Sequence, residues 1–277
     1  MRYLAFIFVV LFLASCKKHN FEIDNLNGNR IDALGHAGMG LSSLYPINSA
    51  ESVLNAISIG ADGTELDIQL SKDNILVAFH DENLNNSTNL EGFIRDYTWE
   101  EIKNASYNST QYLSYKITRV SDLMENVVNR SNYLFSFDVK LYPGTGEQAT
   151  SYYNDFVNAV SLLFNNYNLY SHCFIEAQSE TFINELATIN GQIKTFIYPQ
   201  DFNSGFELAI NNGLYGISIH NDNITKEQVK IAHENGLYVI IWGVNKSSKN
   251  EEAILKNPDM IETDALKNLI KTLGNST

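Results

Sequence analysis

Glu65, Asp67 and Gln69 alternate with Leu66, Ile68 and Leu70, so a strand here gathers its polar side chains on one face. The same alternation recurs in Ser136, Asp138 and Lys140, in Glu176 and Gln178, and in Ser218 and His220. Polar groups facing a common interior either satisfy one another or serve a site. Carboxylates, a lysine and histidines on four strands would cost several kcal/mol per unpaired charge if buried without function, which favours a site. Carboxylates converging without a cysteine suit a hard, oxygen-liking cation, Mg2+ or Ca2+, better than zinc. His36 and His80 fall at strand ends beside the cluster, and two histidines suit proton transfer near neutral pH. Together these groups suit phosphoryl chemistry. Cation and Lys140 bind nonbridging oxygens, while one histidine takes a proton and the other gives one.

The elements that must position these residues alternate along the chain. The spacing predicts strands at 31–36, 63–70, 76–80, 134–140, 173–178, 193–198, 216–220, 238–244 and 260–264. Between them it predicts helices at 49–59, 121–129, 149–166, 179–189, 202–212, 225–235, 249–255 and 265–273, several closed by a glycine. Strand 76–80 reads as a hairpin partner of 63–70, which leaves eight βα units, the size of an α/β TIM (β/α)8 barrel. A doubly wound open sheet is the alternative, but no Gly-rich dinucleotide turn follows the first strand. Residues 82–120, rich in Asn, Ser and Tyr, read as an insertion after the second strand. Polar residues near the C-terminal ends of barrel strands are where such folds carry chemistry.

The composition agrees. In 277 residues, 44% hydrophobic and 18% charged with 4 Pro, the chain has the make-up of a globular protein. A net charge of −13 argues against nucleic acid, whose phosphates need a basic footprint. Two cysteines make no disulfide scaffold at this size. Arg2 followed by the apolar run 4–13 and then Ala14-Ser15-Cys16 reads as a signal peptide over residues 1–15, too short to span a bilayer. Leu13-Ala14-Ser15-Cys16 resembles the bacterial lipobox, so Cys16 is expected to be lipidated and to anchor the protein to a membrane of the cell envelope. Polar residues 16–30 then read as a tether, and 31–277 as the barrel. Cys173, in an apolar run, reads as buried and inert.

Motifs along residues 31–268 resemble those of the glycerophosphodiester phosphodiesterase family, a TIM-barrel relative of phosphatidylinositol-specific phospholipases C. They are Gly35-His36-Ala37-Gly38, Pro46-Ile47-Asn48-Ser49, Gly60-Ala61-Asp62-Gly63-Thr64-Glu65-Leu66-Asp67, Lys72-Asp73, His80-Asp81, Asp138-Val139-Lys140, Trp242-Gly243-Val244-Asn245 and Thr263-Asp264. The resemblance implies Glu65, Asp67 and Asp138 as ligands of one divalent cation, His36 and His80 as the acid–base pair, and Lys140 as a phosphate or metal-site cation. It also implies that a substrate hydroxyl beside the phosphate attacks first and releases the alcohol. Asn48 matches a polar family position, or else caps the helix from Ser49. Trp242 reads as an aromatic wall for substrate or as core, and Glu176 and His220 as pocket lining. Ala37 stands where the family has Arg, Ile47 where it has Glu, and Gly243 where it has Thr. The function expected is metal-dependent hydrolysis of a glycerophosphodiester or related phosphodiester to an alcohol and a phosphomonoester, with the histidine pair as acid and base. The rivals are a phospholipase C-like enzyme on lipid headgroups and a non-catalytic phosphoester-binding lipoprotein.

Overall fold

The computed structural model describes residues 21–41, 43–144 and 147–274. The signal peptide and Cys16 lie outside the described residues. The β-rich runs form β1 (Asp32–Gly35), β2 (Gly63–Leu70), β3 (Leu76–Ala78), β4 (Thr118–Arg119), β5 (Leu134–Val139), β6 (Cys173–Ala177), β7 (Lys194–Ile197), β8 (Gly216–His220), β9 (Tyr238–Val244) and β10 (Met260–Thr263). Eight of them run parallel in the order β1-β10-β9-β8-β7-β6-β5-β2, and β1 pairs back onto β2 to close a barrel. β3 turns back antiparallel along β2 with Ala78 opposite Ile68, and β4 pairs with β3. The expected hairpin is therefore present, and the insertion hangs from it.

The helices are α1 (Ala50–Ser58), α2 (Trp99–Ile102), α3 (Val120–Asn126), α4 (Glu147–Tyr167), α5 (Glu180–Asn190), α6 (Phe202–Asn211), α7 (Lys226–Glu234), α8 (Ser247–Ile254) and α9 (Leu266–Gly274). Ser49, Ser179, Asp201 and Thr225 cap α1, α5, α6 and α7 by accepting an N–H of the first turn, which fixes where each helix begins. Leu66, Ile68 and Leu70 turn outward and pack with Val53 and Ala56 of α1 in the layer between barrel and helices. The opposite parity fills the lower barrel with Leu34, Phe174, Phe196, Ile240 and Met260. Burying such a side chain contributes about 1.5–3 kcal/mol, so this plug fixes the strands beneath the polar layer. The insertion builds a core of its own from Val77, Phe79, Leu84, Ile94 and Ile102, although no long apolar run announces it.

One expectation changes. The polar stretch expected to run as a tether to residue 30 is docked from Phe21 onward. Phe21 and Ile23 pack on the outer core, and Asn25 and Asn27 hydrogen-bond to the strand beginnings. Asparagine amides serve the backbone there, which polarity alone does not reveal. Among the described residues no helix is long and apolar enough to cross a membrane.

Candidate active site

β2 and β5 lie side by side with Asp67 opposite Asp138 and Glu65 opposite Ser136. Strand parity turns Glu65, Asp67 and Asp138 inward, where one oxygen from each lies within 4.8 Å of the others. All three are buried. The β1–α1 loop holds two of them. The Ala37 N–H donates to Glu65 Oε2 at 2.8 Å, while Glu65 Oε1 is buried with no partner. Asn48 grips Asp67 twice: its Nδ2 donates to Asp67 Oδ2 at 2.7 Å, and its Oδ1 accepts the Asp67 N–H at 2.9 Å. Asn48 therefore positions Asp67. The cap of α1 is Ser49, which accepts the Ser52 N–H. Ala37 (φ 47°) and Asn48 (φ 62°) are both left-handed, a conformation that asparagine tolerates and alanine resists.

Lys140 sits 2.6 Å from Asp138 Oδ2 and 3.0 Å from Asp67 Oδ1, one cation shared by two acids. His36 presents Nδ1 to Asp264 Oδ1 at 2.8 Å and stands with Nε2 3.9 Å from Glu65 Oε2. His80 is half-exposed, its Nδ1 3.0 Å from Asp81 Oδ1. The two histidines flank the carboxylates from different loops.

The protonation pattern follows from this crowding. Burial pushes the Glu65 carboxyl well up, and the charge of Asp67 pushes it further. Burial lifts Asp138 to about 7 against the pull of Lys140. Asp67 is held low: burial works against it, but Lys140, the charge of His80 and the Asn48 hydrogen bond prevail. Burial would lower His36, yet the Asp264 hydrogen bond and the charge of Glu65 push it up to about 9. An imidazolium held beside the cluster is a proton donor.

His220 and Trp242 are register partners on β8 and β9, with ring centroids 4.6 Å apart, and Tyr198 packs on Trp242 at 4.8 Å. The three rings pack together at the ends of β7, β8 and β9. Gly243 (φ 75°) explains one departure from the family pattern. A Cβ there would lie 2.3 Å from His220 Nε2, so the His220 ring fills the room that a side chain at 243 would take. Glu176 adjoins the three grouped carboxylates without joining them. It lies opposite Asp138 in register, accepts the Ser136 hydroxyl and contacts Glu262, whose own carboxyl burial and Glu176 push well up. Cys173 is buried, and burial pushes its thiol up, which makes it inert as expected.

Sequence reasoning left Asp264 and Glu262 without roles. Parity along β10 already turns Met260, Glu262 and Asp264 to one face, the signal that would have found both. The donor set fits a hard divalent cation. Three carboxylates meet, two of them resist ionising together, and Glu65 Oε1 is a buried acceptor with nothing to accept from.

Comparison with known proteins agrees with this geometry. Residues 39–267 match the model of the glycerophosphoryl diester phosphodiesterase family. A glycerophosphodiester phosphodiesterase of Caldanaerobacter subterraneus subsp. tengcongensis is 27% identical over 241 residues, 84% of this chain and 95% of the relative. One from Bacillus altitudinis is 28% identical over 235 residues, 82% and 93% of the two chains. In fold, a Silicibacter pomeroyi structure superposes with a TM-score of 0.78 at 17% identity, covering 89% of this chain and 94% of that one. An Oleispira antarctica phosphodiesterase, solved with its product sn-glycerol-3-phosphate, superposes at 0.77 and 18% identity, covering 88% and 96%. With the family model spanning nearly all of the barrel, the chain belongs to the glycerophosphoryl diester phosphodiesterase family and is a phosphoric diester hydrolase.

Proposed function

We propose that this enzyme cleaves a glycerophosphodiester into an alcohol and a phosphomonoester, with Glu65, Asp67 and Asp138 holding one Mg2+ or Ca2+ and His36 and His80 moving the protons. The convergence of the three carboxylates within 4.8 Å, bridged by Lys140 and flanked by His36, carries the reading. A divalent cation bound there supplies positive charge to the phosphoryl oxygens. Lys140 adds a second positive charge at the same place. His80, half-open to solvent, takes the proton of the attacking substrate hydroxyl. His36, kept protonated by Asp264, delivers one to the departing alcohol oxygen. His80 is then charged and His36 neutral, so the pair is set for the reverse exchange when water opens the cyclic product. Trp242 and His220 line the side where the alcohol rests. That the Oleispira relative was solved with glycerol phosphate supports a small diester as substrate.

The test is a panel of glycerophosphodiesters assayed after EDTA treatment and with Mg2+ or Ca2+ added back. Release of glycerol phosphate only with a cation supports the reading; full turnover in EDTA rejects it. We also propose that Cys16 is lipidated and fixes the enzyme to a membrane of the bacterial cell envelope, on the strength of the Leu13-Ala14-Ser15-Cys16 motif.

A further inference from the structure

The segment ahead of β1 is fastened across the barrel end opposite the site. Asn25 Nδ2 donates to the Pro258 carbonyl at 2.8 Å, just before β10. Tyr238, at the start of β9, donates its hydroxyl to the Leu26 carbonyl at 3.3 Å. Asn27 Nδ2 donates to Asp32 Oδ2 at 2.8 Å at the start of β1. Arg30 pairs with Asp32 and, at 2.7 Å, with Asp62 just ahead of β2. Four strand beginnings are thus tied to one segment. Phe21 and Ile23 continue it into a groove lined by Ile31, Gly60, Ile270 and Leu273 at the same end.

Cys16 precedes Phe21 by only five residues. Fully extended, five residues reach about 18 Å. The eight residues of β2 alone, seven steps at a rise of about 3.3 Å and a tilt of about 36°, raise the mouth about 19 Å above the floor. The β1–α1 loop and the insertion add to that height. A competing surface exists at the mouth, where Leu41, Leu44 and Leu113 stand 57%, 76% and 56% exposed. Burying them in lipid would be favourable. The tether forbids that gain in the membrane that holds Cys16, because its reach is shorter than the barrel is tall.

Resting on the lipid-anchored reading of Cys16, we propose that the barrel floor faces the bilayer and the catalytic mouth faces away from it. Headgroups of the anchoring membrane then lie out of reach of the site. Trp242 and the carboxylate cluster open toward solution, so a soluble diester meets them without leaving water.

The experiment uses the full lipidated chain in vesicles of phosphatidylethanolamine and phosphatidylglycerol doped with nitroxide-bearing lipid. Ser58→Cys, exposed at the floor end of α1, and Leu113→Cys, at the mouth, each carry a fluorophore. Buried Cys173 stays unlabelled. The expected result is that the probe at 58 loses most of its emission and the probe at 113 keeps it. Glycerophosphocholine is hydrolysed at the same rate by anchored enzyme and by released Cys16→Ala protein, while phosphatidylglycerol of the vesicle stays intact. Stronger quenching at 113, or cleavage of vesicle phosphatidylglycerol, overturns the proposal. Mass analysis that finds no lipid on Cys16 removes the anchor reading and the orientation with it. Quenching at 58 without turnover of glycerophosphocholine upholds the orientation and rejects the proposed function alone.

Discussion

The two ends of the barrel both carry clustered charge, and they are wired in opposite ways. At the floor Asp62 and Asp259 each have two donors, although Asp259 keeps Oδ1 buried without one. Asp62 accepts from Arg30 at 2.7 Å and from the Ala33 N–H at 2.8 Å, and Asp259 accepts from His233 at 3.0 Å and the Val239 N–H at 2.7 Å. At the mouth Glu65, Asp67 and Asp138 crowd around a single lysine, and Glu65 keeps one oxygen bare. The chain itself supplies a donor to each oxygen of Asp62. The mouth cluster has one lysine for its three acids. Like charges held together in a buried place raise one another's proton affinity, which is the direction seen for Glu65 and Asp138. The crowding of acids, as opposed to their burial, is confined to the layer above the apolar plug, at the strand ends.

The strongest way to break this comparison is to remove one acid from each end. Asp67→Ala should lower turnover about 10³-fold or more, since cation-supplied stabilisation is several kcal/mol and each 1.4 kcal/mol is tenfold. Asp62→Asn should leave turnover unchanged. Initial rates of glycerophosphocholine hydrolysis decide it, and equal losses at both ends would sink the division of labour.

The histidines sharpen it next. His36→Ala and His80→Ala should each cost roughly 10²–10⁴ in rate. Asp264→Asn weakens the partner that keeps His36 charged, so the alkaline limb of the pH–rate profile should move to lower pH. An unmoved limb would mean that His36 is not the donor.

Stability against pH separates the ends without any substrate. Folded Asp138 titrates at about 7, above its ordinary 3.8, so the folded state holds the extra proton between those values. Stability of chelated protein should therefore fall as pH rises from about 4 to about 7, and added cation should flatten the slope. Denaturant melts at stepped pH, with and without EDTA, measure this; a slope of the opposite sign would refute the crowding account. At the floor, Arg30→Ala should cost only about 0.5–1 kcal/mol, because Arg30 is largely exposed, and should leave turnover intact.

The barrel and most of its site were legible because strand parity is a local property. Alternation over a few residues aligned Glu65 with Asp67, and Asp138 with Lys140, before any partner strand was known. Contacts between distant segments were not legible. Asn48 finds Asp67 across 19 residues, and His36 finds Asp264 across 228, and neither spacing marks the pairing. The docked stretch from Phe21 to Arg30 escaped notice because its asparagines look solvated until carbonyls at the strand beginnings are placed against them. Strand ends were expected one or two residues too long at β1, β3 and β10, where the chain turns polar side chains into the site after the ladder stops.

The smallest expected effect concerns Ala37 and Ile47, where the motif resemblance implies Arg and Glu in relatives. The two positions share one loop, and the Asn48 N–H donates to the Ala37 carbonyl at 3.0 Å, so residue 47 sits one residue from a direct tie to 37. We propose that the family's two charges support each other and that this chain replaced both together, since either one alone would be partly desolvated and unpaired. Ala37 is fully buried and Ile47 half-buried, which leaves that side of the pocket apolar and suited to a bulkier or less charged alcohol. Phosphate binding then falls to the cation and Lys140. Ala37→Arg alone should harm activity. Ala37→Arg with Ile47→Glu should recover part of it and shift preference toward small, polar glycerophosphodiesters. Because position 47 is only half-buried, solvent screens the pair, and the coupling in a double-mutant cycle should be small, about 0.5 kcal/mol. Zero coupling, or an Ala37→Arg enzyme that is faster on every diester tested, would show that the two replacements arose independently.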